Sequence, residues 1–171
     1  MWQYERGWMH AELSRFLVAA KRDTHATTHA TTHATAGDDA SVAPVLAGSK
    51  QLEYRAGRFL YRDVRFGNTR FAGQETVALD DRVIWSMAYG GGIAPEVADD
   101  AVIAIVYNYL RQALYIVEPA RPFRGPRTFG SGTLRYSDDS EGDLTSFRGI
   151  ERITREGALV YRLDYCGGLI R

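Results

Sequence analysis

The feature that most limits what this chain can become is a segment that occurs twice. Phe71-Ala72-Gly73-Gln74-Glu75-Thr76-Val77 matches Phe147-Arg148-Gly149-Ile150-Glu151-Arg152-Ile153, both reading F-x-G-x-E-x-[V/I], at an offset of 76 residues. At that offset Ile84-Trp85-Ser86-Met87-Ala88-Tyr89 faces Val160-Tyr161-Arg162-Leu163-Asp164-Tyr165, and Gly91-Gly92 faces Gly167-Gly168. Upstream, Tyr61-Arg62-Asp63 echoes Tyr136-Ser137-Asp138, with the offset one residue shorter. Agreement at aromatic, glycine and carboxylate positions in fixed register points to an internal duplication. The copies span about 51–92 and 127–168, and one packing solution must serve both.

Each copy predicts antiparallel strands. Val83, Trp85, Met87 and Tyr89 alternate with smaller or polar neighbours, the period of a half-buried strand. Asp80-Asp81 and Glu156-Gly157 supply the turns. Gly73 and Gly149 sit inside strand-like runs, where glycine marks a bulge or a close backbone approach. A helix is predicted before each copy. The first runs over 8–22, with Leu13, Phe16, Leu17 and Ala20 on one stripe. The second runs from Val97 to about Val117, with Pro95 in a first-turn position and Glu96, Asp99 and Asp100 favouring its N-terminus. The fold class expected is α+β: a duplicated helix-plus-antiparallel-strands unit, with two helices packed on a mainly antiparallel sheet. Two facing half-sheets remain the alternative arrangement.

The length, 171 residues, suits a single domain able to bury its own core. With 21 basic and 21 acidic side chains the formal charge is zero. That balance argues against a nucleic-acid binder, whose affinity comes largely from phosphate neutralisation. All basic residues but Lys21 and Lys50 are arginine. The one cysteine, Cys166, cannot close an intramolecular disulfide and fits a reducing compartment. The N-terminal residues lack the basic-then-apolar pattern of a secretory leader, and no apolar run approaches the ~20 residues of a membrane span. A cytoplasmic location, with no membrane partner, is the expectation.

Residues 23–45 break the composition. Three copies of Thr-His-Ala-Thr occupy 24–35, and β-branched Thr at half the positions disfavours helix without building a core. A flexible low-complexity insert is expected. His25, His29 and His33 recur every four residues, but no Cys or carboxylate completes a ligand set at close spacing, so neither a metal site nor any cofactor is assigned.

No catalytic constellation stands out. His10, His25, His29 and His33 all precede the repeats, which disfavours a Ser-His-Asp or Cys-His site. No phosphate-binding glycine motif opens a helix, although Gly90-Gly91-Gly92 is either an anion cradle or a turn. The candidate catalytic residues are the duplicated Glu75 and Glu151. Brought together on a pseudo-twofold axis they would form an acid–base pair, with a spacing of ~5–9.5 Å wanted for a glycosidase. Alternatively, each pairs with Arg or accepts from Tyr and holds its own hairpin, Arg70, Arg82, Arg152 and Arg162 being plentiful partners. Trp85, Tyr89, Tyr161 and Tyr165, with Tyr61, either line a ligand pocket or form an aromatic core. Arg121, Arg124 and Arg127, spaced by three in a Pro-rich stretch, would align along one polyproline edge, with Arg124 able to grip an anion. On that reading Arg124→Ala weakens partner binding without loss of stability. The acidic stretch 138–143 is placed to meet these arginines instead.

Gly48-Ser49-Lys50-Gln51-Leu52-Glu53-Tyr54, Tyr61-Arg62-Asp63, F-x-G-x-E-x-V, Trp85-x-Met87-x-Tyr89-x-Gly91 and Tyr161-x-Leu163-x-Tyr165-x-Gly167-Gly168 together resemble an uncharacterised bacterial domain-of-unknown-function family. The resemblance covers about 47–171 well and 8–22 loosely, and some members follow a helix-turn-helix domain in transcriptional regulators. It implies no catalytic residue. Ala88 stands where the family pattern usually has Asn, and the Thr-His repeat is an insertion. The reading the sequence favours is a non-enzymatic small-molecule-sensing or partner-binding module, with Trp85, Tyr89, Tyr161, Tyr165 and Arg124 as ligand-binding candidates. The alternative is a carboxylate-based hydrolase using Glu75 and Glu151, so whether the protein is an enzyme is left open, as is its oligomeric state.

Overall fold

In a computed structural model, residues 2–26 and 41–171 are described. Helix α1 spans Trp2–Lys21 and runs into a single wide turn, Arg22–Ala26. Strands β1 (Ser41–Val42), β2 (Lys50–Ala56), β3 (Phe59–Gly67), β4 (Arg70–Leu79) and β5 (Arg82–Ile93) follow. Helix α2 (Asp100–Tyr115) leads to β6 (Thr128–Ser131), β7 (Leu134–Asp143), β8 (Ser146–Arg155) and β9 (Ala158–Leu169).

The nine strands of the described residues form one antiparallel sheet in the order β1-β2-β3-β4-β5-β9-β8-β7-β6. Two meanders, β2–β5 and β6–β9, therefore meet through their last strands. The ladder registers of the two halves coincide. Glu75 faces Met87 and Glu151 faces Leu163; Gly73 faces Tyr89 and Gly149 faces Tyr165. A bulge follows Val77 in one half and Ile153 in the other. At the seam Tyr89 stands directly opposite Tyr165. The β4–β5 and β8–β9 hairpins close with Asp80-Asp81 and Glu156-Gly157, all four at positive φ, the two-residue turn whose twist matches that of its strands.

Both helices lie on one face of the sheet. Leu13, Phe16, Leu17 and Ala20 of α1 meet Val106, Tyr109, Leu110, Ala113 and Leu114 of α2 over the inward side chains of the strands. The α1 stripe read from the sequence is this buried face, although the helix begins earlier than residue 8. α1 sits on β2 and β3, and α2 on β7. Arg22 joins the helices, donating to the carbonyls of Tyr115 (3.0 Å) and Val117 (3.0 Å) at the negative end of α2. The tyrosines of α2 hold both halves: Tyr107 donates to Thr69 O (2.9 Å) and Tyr109 to Phe129 O (2.8 Å).

The α+β reading holds, with a single open sheet rather than two facing half-sheets. Three boundaries need correction. α2 starts at Asp100 rather than Val97, because Asp99 accepts from Ala101 N (2.8 Å) and leaves Pro95 in the preceding turn. Gly90-Gly91-Gly92 belongs to β5, so its amides lie in the sheet and not in a cradle before the helix. Of the insert expected over 23–45, only the ends are described, and they are structured: Thr24 is buried in the turn, donating to Ala20 O (2.8 Å), and β1 lies on the edge of the sheet, while residues 27–40 lie outside the described residues. His29 and His33 lie outside the described residues. Among the described residues no helix is long and apolar enough to cross a membrane.

Candidate functional site

Strand alternation turns Tyr61, Asp63, Glu75 and Val77 of one half, and Tyr136, Asp138, Glu151 and Ile153 of the other, toward the helices. The four carboxylates are each 0% exposed. Burying an ionised carboxylate costs several kcal/mol unless charge and hydrogen bonds replace its water. The surrounding side chains are therefore the ones that must answer this demand.

Glu151 is fully supplied. Oε1 accepts from Tyr136 OH (2.7 Å), and Oε2 accepts from Tyr161 OH (3.1 Å) and from Arg124 Nη2 (2.9 Å). Asp138 accepts from Tyr165 OH (2.8 Å) on Oδ1 and pairs with Arg121 through Oδ2. Arg121 also donates to Ser140 Oγ (3.0 Å). Burial, and then the charge of Glu151, raises Tyr136 and Tyr161 well above the usual tyrosine range. Arg124 stays charged against its own burial because Glu151 faces it.

The first half answers differently. Glu75 pairs with Lys21 through Oε2, and Asp63 accepts from Tyr89 OH (2.5 Å) on Oδ1. Arg124 Nη1 stands 3.9 Å from Glu75 Oε1, so one guanidinium lies between the two glutamates. Tyr61 OH meets His25 Nε2 at 2.9 Å instead of reaching Glu75. Burial, followed by Lys21 and Arg124, holds His25 well below its ordinary range, so the imidazole is neutral. Burial also lowers Lys21, against the pull of Glu75. Asp63 and Asp138 are both pushed up to about 6, by burial first and then by Glu75 and Glu151 respectively.

The repeated glycine explains how the tyrosines reach these acids. A Cβ on Gly73 would lie 2.6 Å from Tyr89 Cζ, and one on Gly149 2.8 Å from Tyr165 Cε1. Each tyrosine lies flat across its glycine to reach an aspartate two strands away. F-x-G-x-E is thus a packing rule: glycine admits the tyrosine, and glutamate stands beside the aspartate that the tyrosine caps.

Glu75 and Glu151 are brought to one cluster, buried against Lys21 and Arg124. The arginines expected as their partners, Arg70, Arg82, Arg152 and Arg162, are not there. Arg152 pairs with Asp139 (2.7 Å) and Arg162 with Asp164 (2.8 Å) on the other face. Trp85 and Tyr161 are core residues, Trp85 stacking on Phe147 at 5.7 Å. Tyr89 and Tyr165 are buried at the seam. Arg121, Arg124 and Arg127 do not share an edge. Phe123, buried and stacked on Phe147 at 4.1 Å, pulls the segment inward, taking Arg124 to Glu151 and leaving Arg127 exposed. Arg121 does meet the acidic stretch, at Asp138.

Sequence reasoning gave no role to Asp63, Asp138, Lys21 or Arg121 in this cluster. The Tyr-x-Asp echo at 61–63 and 136–138 carried the signal, since alternate residues of a strand share a face. Lys21 falls four residues after Leu17 on the apolar stripe, which places its stem in the core.

The opposite face of the sheet carries no helix and is exposed along its middle strands. A groove of about 920 Å³ crosses it over β5, β9, β8 and β7. Two rows of the ladder floor it: Ala88, Cys166, Arg148 and Glu141, then Asp164, Ile150 and Asp139. Arg127 also lines it. Among the described residues no group of three or more His, Cys, Asp or Glu is placed to hold a metal ion.

A family model described as a domain of unknown function, DUF5680, matches residues 63–170, more than half of the chain. No curated protein matches, and no solved structure matches.

Proposed function

The chain belongs to the domain-of-unknown-function family DUF5680, and we propose that it is a non-enzymatic binding module that takes a small molecule in the groove over β5, β9, β8 and β7. The observation that carries this reading is the groove itself. Its volume, about 920 Å³, lies within the ~300–1,000 Å³ of small-molecule sites. Its floor is small at Ala88 and Cys166 and polar at its sides, where Glu141 pairs with Arg148 and Asp139 with Arg152. Arg127, exposed and lining the groove, brings a guanidinium suited to an anionic group. The matched registers of the two halves support an origin by duplication, and the groove spans their seam. An exposed, unpaired Cys166 suits a reducing, intracellular compartment.

The hydrolase reading finds no comparable support. General acid–base work needs a carboxylate within reach of substrate, and Glu75 and Glu151 are sealed against Lys21, Arg124 and two tyrosines. A thermal-shift screen with small carboxylates, amines and flat heterocycles tests the binding reading, hits being repeated on Ala88→Phe, which fills the groove floor. Ligands that raise the Tm of the wild type and not of the variant support it. A screen without hits, or hits indifferent to Ala88→Phe, removes it.

A further inference from the structure

Four buried side-chain atoms among the described residues have no hydrogen-bond partner: Asp63 Oδ2, Arg65 Nε, Glu75 Oε1 and Trp85 Nε1. Buried polar atoms are rarely left so, and each such atom calls for an explanation. Two of the four are carboxylate oxygens on residues directly opposite each other in the β3–β4 ladder. They converge: Asp63 Oδ2 is 3.9 Å and Glu75 Oε1 3.8 Å from the same atom, His25 Nε2. That nitrogen serves Tyr61 OH and is too far from either oxygen for a hydrogen bond. Two unpartnered anionic oxygens on neighbouring side chains repel, and neither is exposed to bulk solvent.

We propose that Asp63 Oδ2 and Glu75 Oε1 share one proton, a bridge between two carboxylates that the first half of the sheet can form and the second cannot. A single O–H on Asp63 pointing at Glu75 satisfies both orphaned atoms at once. The proton comes from solvent and returns to it. The groups facing the pair come from every element packed on it: Lys21 from the end of α1, neutral His25 from the turn that follows, Tyr61 and Arg65 from β3, Tyr89 from β5 and Arg124 from the segment before β6. None of them donates to the two free oxygens. In the second half Arg121 occupies Asp138 Oδ2, and Tyr136, Tyr161 and Arg124 occupy Glu151, so no acceptor pair is left for a proton to bridge. Burial holds Asp63 up to about 6, and Asp138 likewise, so it is the pair of unpartnered oxygens that assigns the shared proton to the first half. The elements resting on the pair are the end of α1 and the turn Arg22–Ala26, and their packing is what the proton secures.

The test compares Asp63→Asn with Asp138→Asn in the full chain, by urea denaturation from pH 4 to pH 8. At position 63 the amide oxygen keeps the Tyr89 bond and the amide N–H replaces the shared proton. A carboxyl raised in the folded state stabilises it below the unfolded value, and that contribution is lost as pH rises through about 6. Relative to Asp63→Asn, the wild-type folding equilibrium therefore weakens on the order of 100-fold between pH 4 and pH 7. Asp138→Asn instead turns a donor toward Arg121 and is less stable than wild type at pH 7, where Asp63→Asn is more stable; because Asp138 is also raised to about 6, the sign of the change and not its pH midpoint tells the two sites apart. Carbon-13 resonances of the aspartate carboxyls in the wild type give the second readout, with the Asp63 midpoint near 6. An Asp63→Asn profile parallel to wild type overturns the proposal, and so does an Asp63 carboxyl that stays ionised to pH 4. Should the variant not fold, the resonance decides alone.

Discussion

The two halves of the sheet share strand register, bulge position, turn chemistry and the Gly–Tyr–Asp crossing, yet they finish their buried acids in different ways. In the β6–β9 half every carboxylate oxygen of Asp138 and Glu151 meets a hydroxyl or a guanidinium. In the β2–β5 half Trp85 stands at the position of Tyr161 and lacks its hydroxyl, Tyr61 is turned to His25, and no counterpart of Arg121 reaches Asp63. Repetition of a backbone frame therefore does not repeat its polar interior. The frame follows from alternation and glycine placement, whereas each buried acid must find whatever donor the connecting segments bring.

Arg124 is where the comparison breaks most easily, because it stands between the glutamates of both halves. Arg124→Ala leaves Glu151 without its cation and Glu75 with Lys21 alone. Removing one partner of a buried ion pair costs about 3–5 kcal/mol, and a loss of that size is expected in denaturation by urea. Lys21→Ala touches one half only and leaves Arg124 beside Glu75, so its loss is smaller. Equal losses would mean that the halves do not share a cation. Either result separates the buried arginine seen here from an exposed anion grip, whose removal leaves stability unchanged.

The glycine crossing tests what the halves have in common. An added methyl at Gly73 or Gly149 meets a tyrosine ring held by its hydrogen bond to a buried aspartate, and Gly73→Ala also meets Val64 O at 2.6 Å. Each substitution is expected to cost about 1–3 kcal/mol by overpacking. The two costs should agree within about 1 kcal/mol; a wide gap would show that the tyrosines are not equivalently held.

The tyrosine before each aspartate sharpens the difference. Tyr136→Phe removes a donor to Glu151 and an acceptor for Gly125 N (2.9 Å), for an expected loss of about 2–3 kcal/mol. Tyr61→Phe removes only the bond to His25, at about 1 kcal/mol. Reversal of that order would place the tighter network in the first half.

Much of the frame was legible in the sequence because it rests on local rules. Period-two alternation marked Trp85, Met87 and Tyr89, the turn residues marked both hairpins, and the offset of 76 residues linked the halves. The site was legible only in its carboxylates. Glu75 and Glu151 stood out through repetition, but their partners come from Lys21, 54 residues before Glu75, and from Arg124, 27 residues before Glu151. No periodicity connects a helix end and a Pro-rich segment to a strand so far along the chain. Charge spacing misled for the same reason: Arg121, Arg124 and Arg127 were evenly placed, but burial of Phe123 decided their directions.

The smallest effect is expected at the hairpin tips, where the halves also differ. Asp80 N donates to Arg58 O (3.1 Å) and Glu156 N to Thr133 O (3.0 Å), so Arg58 and Thr133 hold corresponding places. Only the first half adds a side-chain pair there, Arg58 Nε to Asp80 Oδ1 at 2.9 Å, and both side chains are more than half exposed. Ion pairs in that setting are screened by water and lose side-chain freedom in forming. Arg58→Thr, which gives the first tip the residue of the second, is expected to leave the Tm unchanged within error at 0.15 M salt. A measurable drop would mean that the tip pair helps fix the β2–β3–β4 register. No change would leave the difference between the halves where burial makes it matter, at the acids beneath the helices.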